Sequence, residues 1–316
     1  MDQRTGQRED ETVTTKVGVL CARVRVEEKL LLTTLAAAGF VAEQVFPAAA
    51  PLPIPPAPPS PVRPGSATEA GPGALIDRCQ NRAAAGPLVR LHRALGAPVV
   101  DAGIAATHDR LAVASALAMA GVARPETRLA TSAFAALAAI AAFGYPATLL
   151  PLAPGSASIA IHDADTAEAV LEHREVLGAS RDLPSLVQAG AADDRDTALV
   201  VVAGGVACAV GGMDVGAVDR AALHLAETAA AALDAGLIGI RLLRTDAGWV
   251  VWDVEAVPDF RAATAIVEGG VAAAVARLVR VYAEPKVKRD GDDAAPAHVE
   301  SVIVRREVRH GALFFA

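Results

Sequence analysis

The chain has 316 residues, a formal net charge of −7 and no sustained basic block, which argues against a nucleic-acid-binding surface. Hydrophobic residues make up 53 %, much of it alanine, so helices form easily while each buried side chain contributes little area. The 3 cysteines are widely spaced and the 7 histidines scattered, which excludes a disulfide framework and zinc-type ligand spacing.

Residues 1–15 are polar and charged, neither signal peptide nor anchor, and read as a disordered N-terminus. KVGVL (16–20) is a first buried strand, VEEKLLLTTLAAAG a helix that Gly39 ends, and VAEQVF a second strand. Residues 47–73, rich in proline, alanine and glycine, suit neither ladder nor helix and read as an insertion, polyproline II or disordered. ALIDRC resumes as a strand, a helix covers 82–95, and APVVDA is another strand. Helices follow at 108–120 and 132–143, then PATLLPL and SASIAI as antiparallel neighbours. Between Ala133 and Ile161 charge is absent for long enough to raise a membrane span, but Gly144, Pro146, Pro151 and Pro154 interrupt it; the chain reads as soluble and cytoplasmic.

Asp165 is placed to cap the next helix, with Glu168 completing a capping box. Gly204-Gly205 marks a hairpin. A helix over 218–235, ended by Gly236, precedes a second hairpin formed by LIGIRLL, the turn RTDAG and WVVWDVE. A last helix covers 261–282, and the tail closes with HVESVIVRREV, whose alternation suits an added strand. The chain therefore divides into an α/β domain at 16–101, a central subdomain at 102–190, a C-terminal subdomain at 191–283 and a linker with an extra strand at 284–316.

Several segments resemble the LysX/ArgX-type ligases, relatives of the RimK type within the ATP-grasp fold. ARVRVEEK is similar to that family's DRIRxEEK, with Ala22 in place of aspartate, and THDRLAVASALAMAGVARPETRLA is similar to GDKWATSLALAKAGLPxPxTxLA. FGYPATLLPL is similar to FGYPVVLKPV, and AEAVLEHREVLG to AEALLEHKEVLG. The resemblance covers roughly 16–281 apart from the insertion. It implies an α/β ATP-grasp fold: a parallel-sheet N-terminal domain, a small central domain and an antiparallel-sheet C-terminal domain. It also implies ATP-dependent joining of an amino acid to a small acidic amino-group carrier protein.

The same resemblance exposes departures. Family members hold the ATP phosphates with two lysines and with magnesium bound by carboxylates and an asparagine, because phosphate oxygens need fixed cations and magnesium needs hard oxygen ligands. Arg110 stands at the first lysine position and Leu150 at the second. PGSASI (154–159) replaces a glycine-rich flap, Gln188-Ala189-Gly190 replaces QEY, and Ala198 replaces an arginine. The family's substrate-binding signature is shortened or missing between Val210 and Val218. At the metal site Arg241 replaces aspartate, Asp253 replaces glutamate and Glu255 replaces asparagine.

Strand alternation puts Asp253 and Glu255 on one face, with Trp252 on the other and Arg241 within reach on the preceding strand. The expectation is an internal ion-pair cluster; the alternative is a general acid/base pair. Arg23 and Arg25 follow the first strand, where a parallel sheet presents ligand contacts. With Arg110, Arg241, Asp259 and Arg261 they form the candidate anion- or substrate-binding set. His108, Cys79 and Cys208 show no chemical partner. No cofactor and no metal site is expected.

The expected function is that of a degenerate ATP-grasp-like subunit that does not use ATP. It would work with a related subunit and an acidic amino-group carrier protein in amino acid or natural-product biosynthesis. Two alternatives stay open: a cofactor-free enzyme closing a small nitrogen ring, such as an aziridine, on a carrier-bound amino acid, and a surviving ATP-dependent ligase.

Overall fold

In the computed structural model, strands β1 (Lys16–Leu20), β2 (Val41–Val45), β3 (Ala74–Asp77) and β4 (Val99–Val100) form a parallel sheet in the order β2-β1-β3-β4. The structure describes residues 15–47, 73–152, 156–178, 183–193, 195–212, 218–262 and 270–283. Most of the proline-rich insertion, Pro154 and Gly155 of the expected flap, the 213–217 segment and the whole tail from Glu284 with its expected strand lie outside them.

Alternation along β1 and β3 explains how this sheet is clad. Val17, Val19 and Ile76 face α1 (Val26–Ala37) and α7 (Gly270–Ala283), whereas Leu20 and Leu75 face α2 (Arg82–Ala94). α1 ends as expected: Gly39 takes φ +90, and the N–H of Phe40 donates back to the carbonyl of Leu35.

The central sheet is antiparallel, with order β5-β8-β6-β7: β5 (Thr127–Ala130), β8 (Ser185–Ala189), β6 (Ala147–Pro151) and β7 (Ile159–Ile161). α4 (Ala133–Phe143) and α5 (Ala164–Leu177) cover one face, closing over Leu149, Ile161 and Val187. The uncharged stretch is therefore a short alanine-rich helix and two strands. Among the described residues no helix is long and apolar enough to cross a membrane.

The third sheet is antiparallel, order β10-β9-β11-β12: β10 (Val206–Gly212), β9 (Thr197–Ala203), β11 (Leu237–Thr245) and β12 (Gly248–Glu255). Gly204 and Gly205 both take positive φ, the backbone of the tight hairpin expected there. Leu199, Val201 and Ala203 of β9 pack on α7; Ala198, Val200 and Val202 pack on the other side with α6 (Arg220–Ala232). α6 presents Ala222, Ala226, Ala229 and Ala230, whose small side chains let the helix lie close to the sheet.

Some boundaries differ from the sequence expectation for local reasons. Asp163, and not Asp165, caps α5: its carboxylate accepts from the N–H of Thr166 at 2.7 Å, which leaves Asp165 inside the first turn. α6 ends at Ala232 rather than Ala235, because Asp234 adopts φ 52 and the N–H of Gly236 turns to the carbonyl of Asp101. α7 is described from Gly270, and residues 263–269 of the expected helix lie outside the described residues.

Candidate functional site

A cavity of about 380 Å³ opens between the central and C-terminal sheets. One face of α3 (Arg110–Met119) supplies Arg110, Val113 and Leu117, at the i, i+3, i+7 spacing of a helix stripe. On β8, Leu186 and Gln188 point into the cavity while Val187 points to the α4 and α5 core; on β6, Leu150 and Leu149 divide the same way. β12 contributes Val251, Trp252, Asp253, Val254 and Glu255.

β12 does not alternate regularly. Arg241 pairs with Asp253 and Leu242 with Val251, so Trp252 is an extra residue without a cross-strand partner, a β-bulge. Residues Val251 to Glu255 all border the cavity, so this stretch does not divide between cavity and opposite face as simple alternation expected. The Trp252 carbonyl accepts from the Gln188 amide at 3.4 Å, which ties the two sheets across the cleft.

Arg241 reaches Glu255: its Nε donates to Glu255 Oε1 at 2.6 Å, and Nη2 contacts the same oxygen. Both side chains are only partly exposed. Asp253 behaves differently. Its Oδ1 accepts the N–H of Val254 at 2.8 Å, and the rest of its carboxylate opens onto the cavity. Desolvation by the surrounding walls raises its pKa above the ordinary carboxylate value, against the pull of the Val254 N–H and the charges of Arg110 and Arg241.

The other cavity cations are largely engaged in holding the backbone. Arg82 is bound by Asp77 at 2.6 Å and donates to the carbonyls of Cys79 and Ala106. Arg124 donates to the carbonyl of Ala114 at 2.8 Å. Arg110 donates Nη1 to the carbonyl of Pro151 at 2.7 Å, its one hydrogen bond among the described residues, which anchors the guanidinium in the wall.

His108, for which the sequence offered no partner, also lines the cavity. It sits at the end of the 3-10 turn Gly103–Thr107 with φ 56, a left-handed backbone uncommon outside glycine. Burial, followed by the charges of Arg82 and Arg110, lowers its pKa, which favours the neutral imidazole.

The remaining candidates lie in a second cluster or on the surface. Arg25 caps the start of α1 and is held by Glu28, with Nε to Oε2 at 3.0 Å and Nη2 to Oε1 at 2.8 Å. Arg261 is clasped by Asp259 and by Glu27, the latter at 3.0 Å. At the centre is Arg78, fully buried, which donates to Glu28 at 3.1 Å and to the carbonyl of Pro258 at 2.8 Å and lies 4.9 Å from the centroid of the Phe260 ring. Arg23 is on the exposed loop between β1 and α1 and lines no part of the cavity. Sequence reasoning missed Arg78, Glu27 and Glu28. The available signal was the position of Arg78 just past β3, at the carboxyl edge of the parallel sheet.

Comparison with known proteins rests on structure, since no protein-family profile and no curated protein sequence matches the chain. A RimK-domain ATP-grasp protein from Sphaerobacter thermophilus aligns with a TM-score of 0.68 at 30% identity, covering 84% of this chain and 99% of that one. D-cycloserine synthetase DcsG aligns with a TM-score of 0.61 at 14% identity, over 85% of this chain and 100% of that one. The ATP-grasp ligase PsnB, solved with its precursor peptide and AMPPNP, aligns at 0.60 with 15% identity, over 84% of this chain and 98% of that one. The latter two share the fold; the first shares the fold and enough sequence to define kinship, so the chain belongs to the RimK-domain ATP-grasp family.

Proposed function

We propose that this chain is a RimK-domain ATP-grasp protein that does not use ATP and serves a carrier-protein-dependent amino acid or natural-product pathway alongside a related subunit. The observation that carries the reading is the Arg241–Glu255 ion pair. A guanidinium held beside the carboxylates repels a dication and occupies one of the oxygens that such an ion would need. Among the described residues no cluster of three acidic, histidine or cysteine side chains is placed to hold a metal ion. Leu150 adds an uncharged wall where a triphosphate would need a cation. These residues do not fit a magnesium nucleotide. The carrier and the partner subunit are inferred from the sequence resemblance, especially the AEAVLEHREVLG helix.

The test is thermal unfolding of the purified chain with magnesium and ATP. A melting temperature that does not move is expected, and one that climbs with nucleotide concentration overturns the reading. Co-purification with an acidic amino-group carrier protein tests the pathway assignment.

A second reading is favoured by the open carboxylate of Asp253 and the neutral ring of His108 in one cavity. In it the chain is a cofactor-free enzyme acting on a carrier-bound amino acid that already bears a leaving group. The substrate amine forms a C–N bond as the bond from carbon to the leaving group breaks. Its proton passes to Asp253 or His108, and Arg110 holds the departing anion. Stoichiometric ring closure without ATP supports this reading; unchanged turnover in both Asp253→Asn and His108→Gln removes it.

A further inference from the structure

α4 differs from every other described α-helix. AFAALAAIAAF contains only alanine, leucine, isoleucine and phenylalanine, whereas the others each carry at least one charged side chain. Its inner face is occupied: Ala133, Ala136, Ala139 and Ile140 are buried with the central sheet. Its outer face is open. Phe134 is 81% exposed, Ala138, Ala141 and Ala142 are exposed, and Tyr145, just past the helix, is 43% exposed. No aspartate, glutamate, lysine or arginine occurs from 129 to 161. A helix surface facing water ordinarily carries charge, as the neighbouring α5 does with Glu168, Glu172 and Glu175 exposed. α5 also brings apolar side chains to the start of α4. Val176 and Leu177, 70% and 72% exposed, lie in its last turn, where Arg174 reaches the Ser185 hydroxyl at 3.0 Å, and Ser185 is the register partner of Ala130, shortly before α4 begins.

We infer that α4 is the contact through which two copies of this chain pair, antiparallel about a two-fold axis that passes between Ala138 and Ala141. The order of side-chain sizes selects a second copy as the occupant. Phe134, Ala138, Ala141 and Tyr145 are spaced by four, three and four positions, a large-small-small-large series that reads the same in both directions. In a two-fold antiparallel helix pair the numbers of facing residues add to a constant, so Phe134 faces Tyr145 of the second copy and Ala138 faces its Ala141. Alanines at the crossing let the two backbones approach closely, and the aromatic rings close both ends. An isologous contact sets a surface against itself, and a surface without charge meets its copy without like-charge repulsion. One helix pair with its flanking side chains falls at the small end of specific interfaces, about 1,200 Å² in total, so pairing should be concentration-dependent and micromolar. Pairing through α4 does not depend on what the cleft binds.

Sedimentation velocity of the full chain from about 1 to about 100 µM tests it, with a rise from monomer to dimer mass expected across that range. Ala138→Arg sets a guanidinium from each copy beside the crossing and should hold the chain monomeric throughout, whereas Glu172→Arg, on the exposed face of α5, should leave the dimer unchanged. The register has its own readout, because the native cysteines are all buried. Ala138→Cys mixed with Ala141→Cys under mild oxidation should give the crossed disulfide in preference to either self-linked dimer. A chain that stays monomeric over the whole range overturns the inference. A dimer indifferent to Ala138→Arg, or a cross-linking pattern with no preference for the crossed pair, overturns it equally. If Ala138→Arg does not fold, the concentration series and the two cysteine variants decide.

Discussion

Arg241 and Glu255 join β11 and β12, the guanidinium Nε donating to the carboxylate at 2.6 Å while Asp253, on the same strand as Glu255, keeps its carboxylate open to the cavity. One side chain thus neutralises one acid and leaves its neighbour available.

That arrangement predicts a reversible loss. Arg241→Asp places a third carboxylate beside Asp253 and Glu255 and removes the repelling charge. The variant should gain a magnesium- or calcium-dependent rise in melting temperature that the parent lacks, and adding Leu150→Lys should extend the gain to magnesium-ATP. A variant that folds and shows no response to divalent ions would mean that the departures at this site reach beyond the two side chains.

Arg78 should be the most sensitive charged position. It is fully buried and serves Glu28, the Pro258 carbonyl and the Phe260 ring at once. Arg78→Met leaves Glu28 with Arg25 alone and the Pro258 carbonyl without this donor, and the expected loss is about 3–5 kcal/mol. Urea unfolding of the variant, read by circular dichroism, measures it.

Glu28 gives the chain an acid-sensitive component. Burial pushes its pKa up, but hydrogen bonds from the Arg25 side chain and backbone and the charge of Arg78 outweigh burial, so the net shift is downward. A carboxylate with a depressed folded pKa stabilises above its unfolded pKa, about 4.3, and loses that contribution as pH falls through the folded value. Glu28→Gln should therefore be less stable than the parent near neutrality and show a shallower decline below the unfolded pKa. Urea midpoints measured across the acid range for both proteins check the slope.

Glycines with the same backbone sign should differ sharply. Gly103 takes φ 56, and a Cβ there would collide with the carbonyl oxygens of Leu233 and Asp234, where the 3-10 turn docks on the end of α6. Gly121 takes φ 67 with open space around the same position. Gly121→Ala should cost about 1 kcal/mol, from backbone strain alone. Gly103→Ala should cost several times more, enough to depress soluble yield; comparing the two melting temperatures decides it.

The layout of the fold was legible because strand alternation and helix stops are local. VGVL, ALID and the two hairpins carry their burial pattern in neighbouring residues, and the strands form where that pattern places them. The Arg241–Glu255 contact was legible for a related reason: two hairpin strands close in sequence constrain which residues face each other. What escaped was set by irregularity or by distance. The bulge at Trp252 leaves one residue without a cross-strand partner, and nothing in WVVWDVE announces it. The partners of Arg78 come from α1 and from the segment after β12, brought together only when the parallel and C-terminal sheets pack on α7. His108 joined the cavity because a 3-10 turn, which leaves little mark on sequence periodicity, aims it there.

The buried guanidinium of Arg78 also governs how the polypeptide can be divided. It bonds a helix near the beginning of the chain and a carbonyl 180 positions further on than itself. A cut between those partners would leave an ion stranded in one fragment and a gap in the other, so neither half should persist alone. The parallel sheet and the C-terminal sheet should therefore melt together, and a substitution at either end of that link should destabilise both.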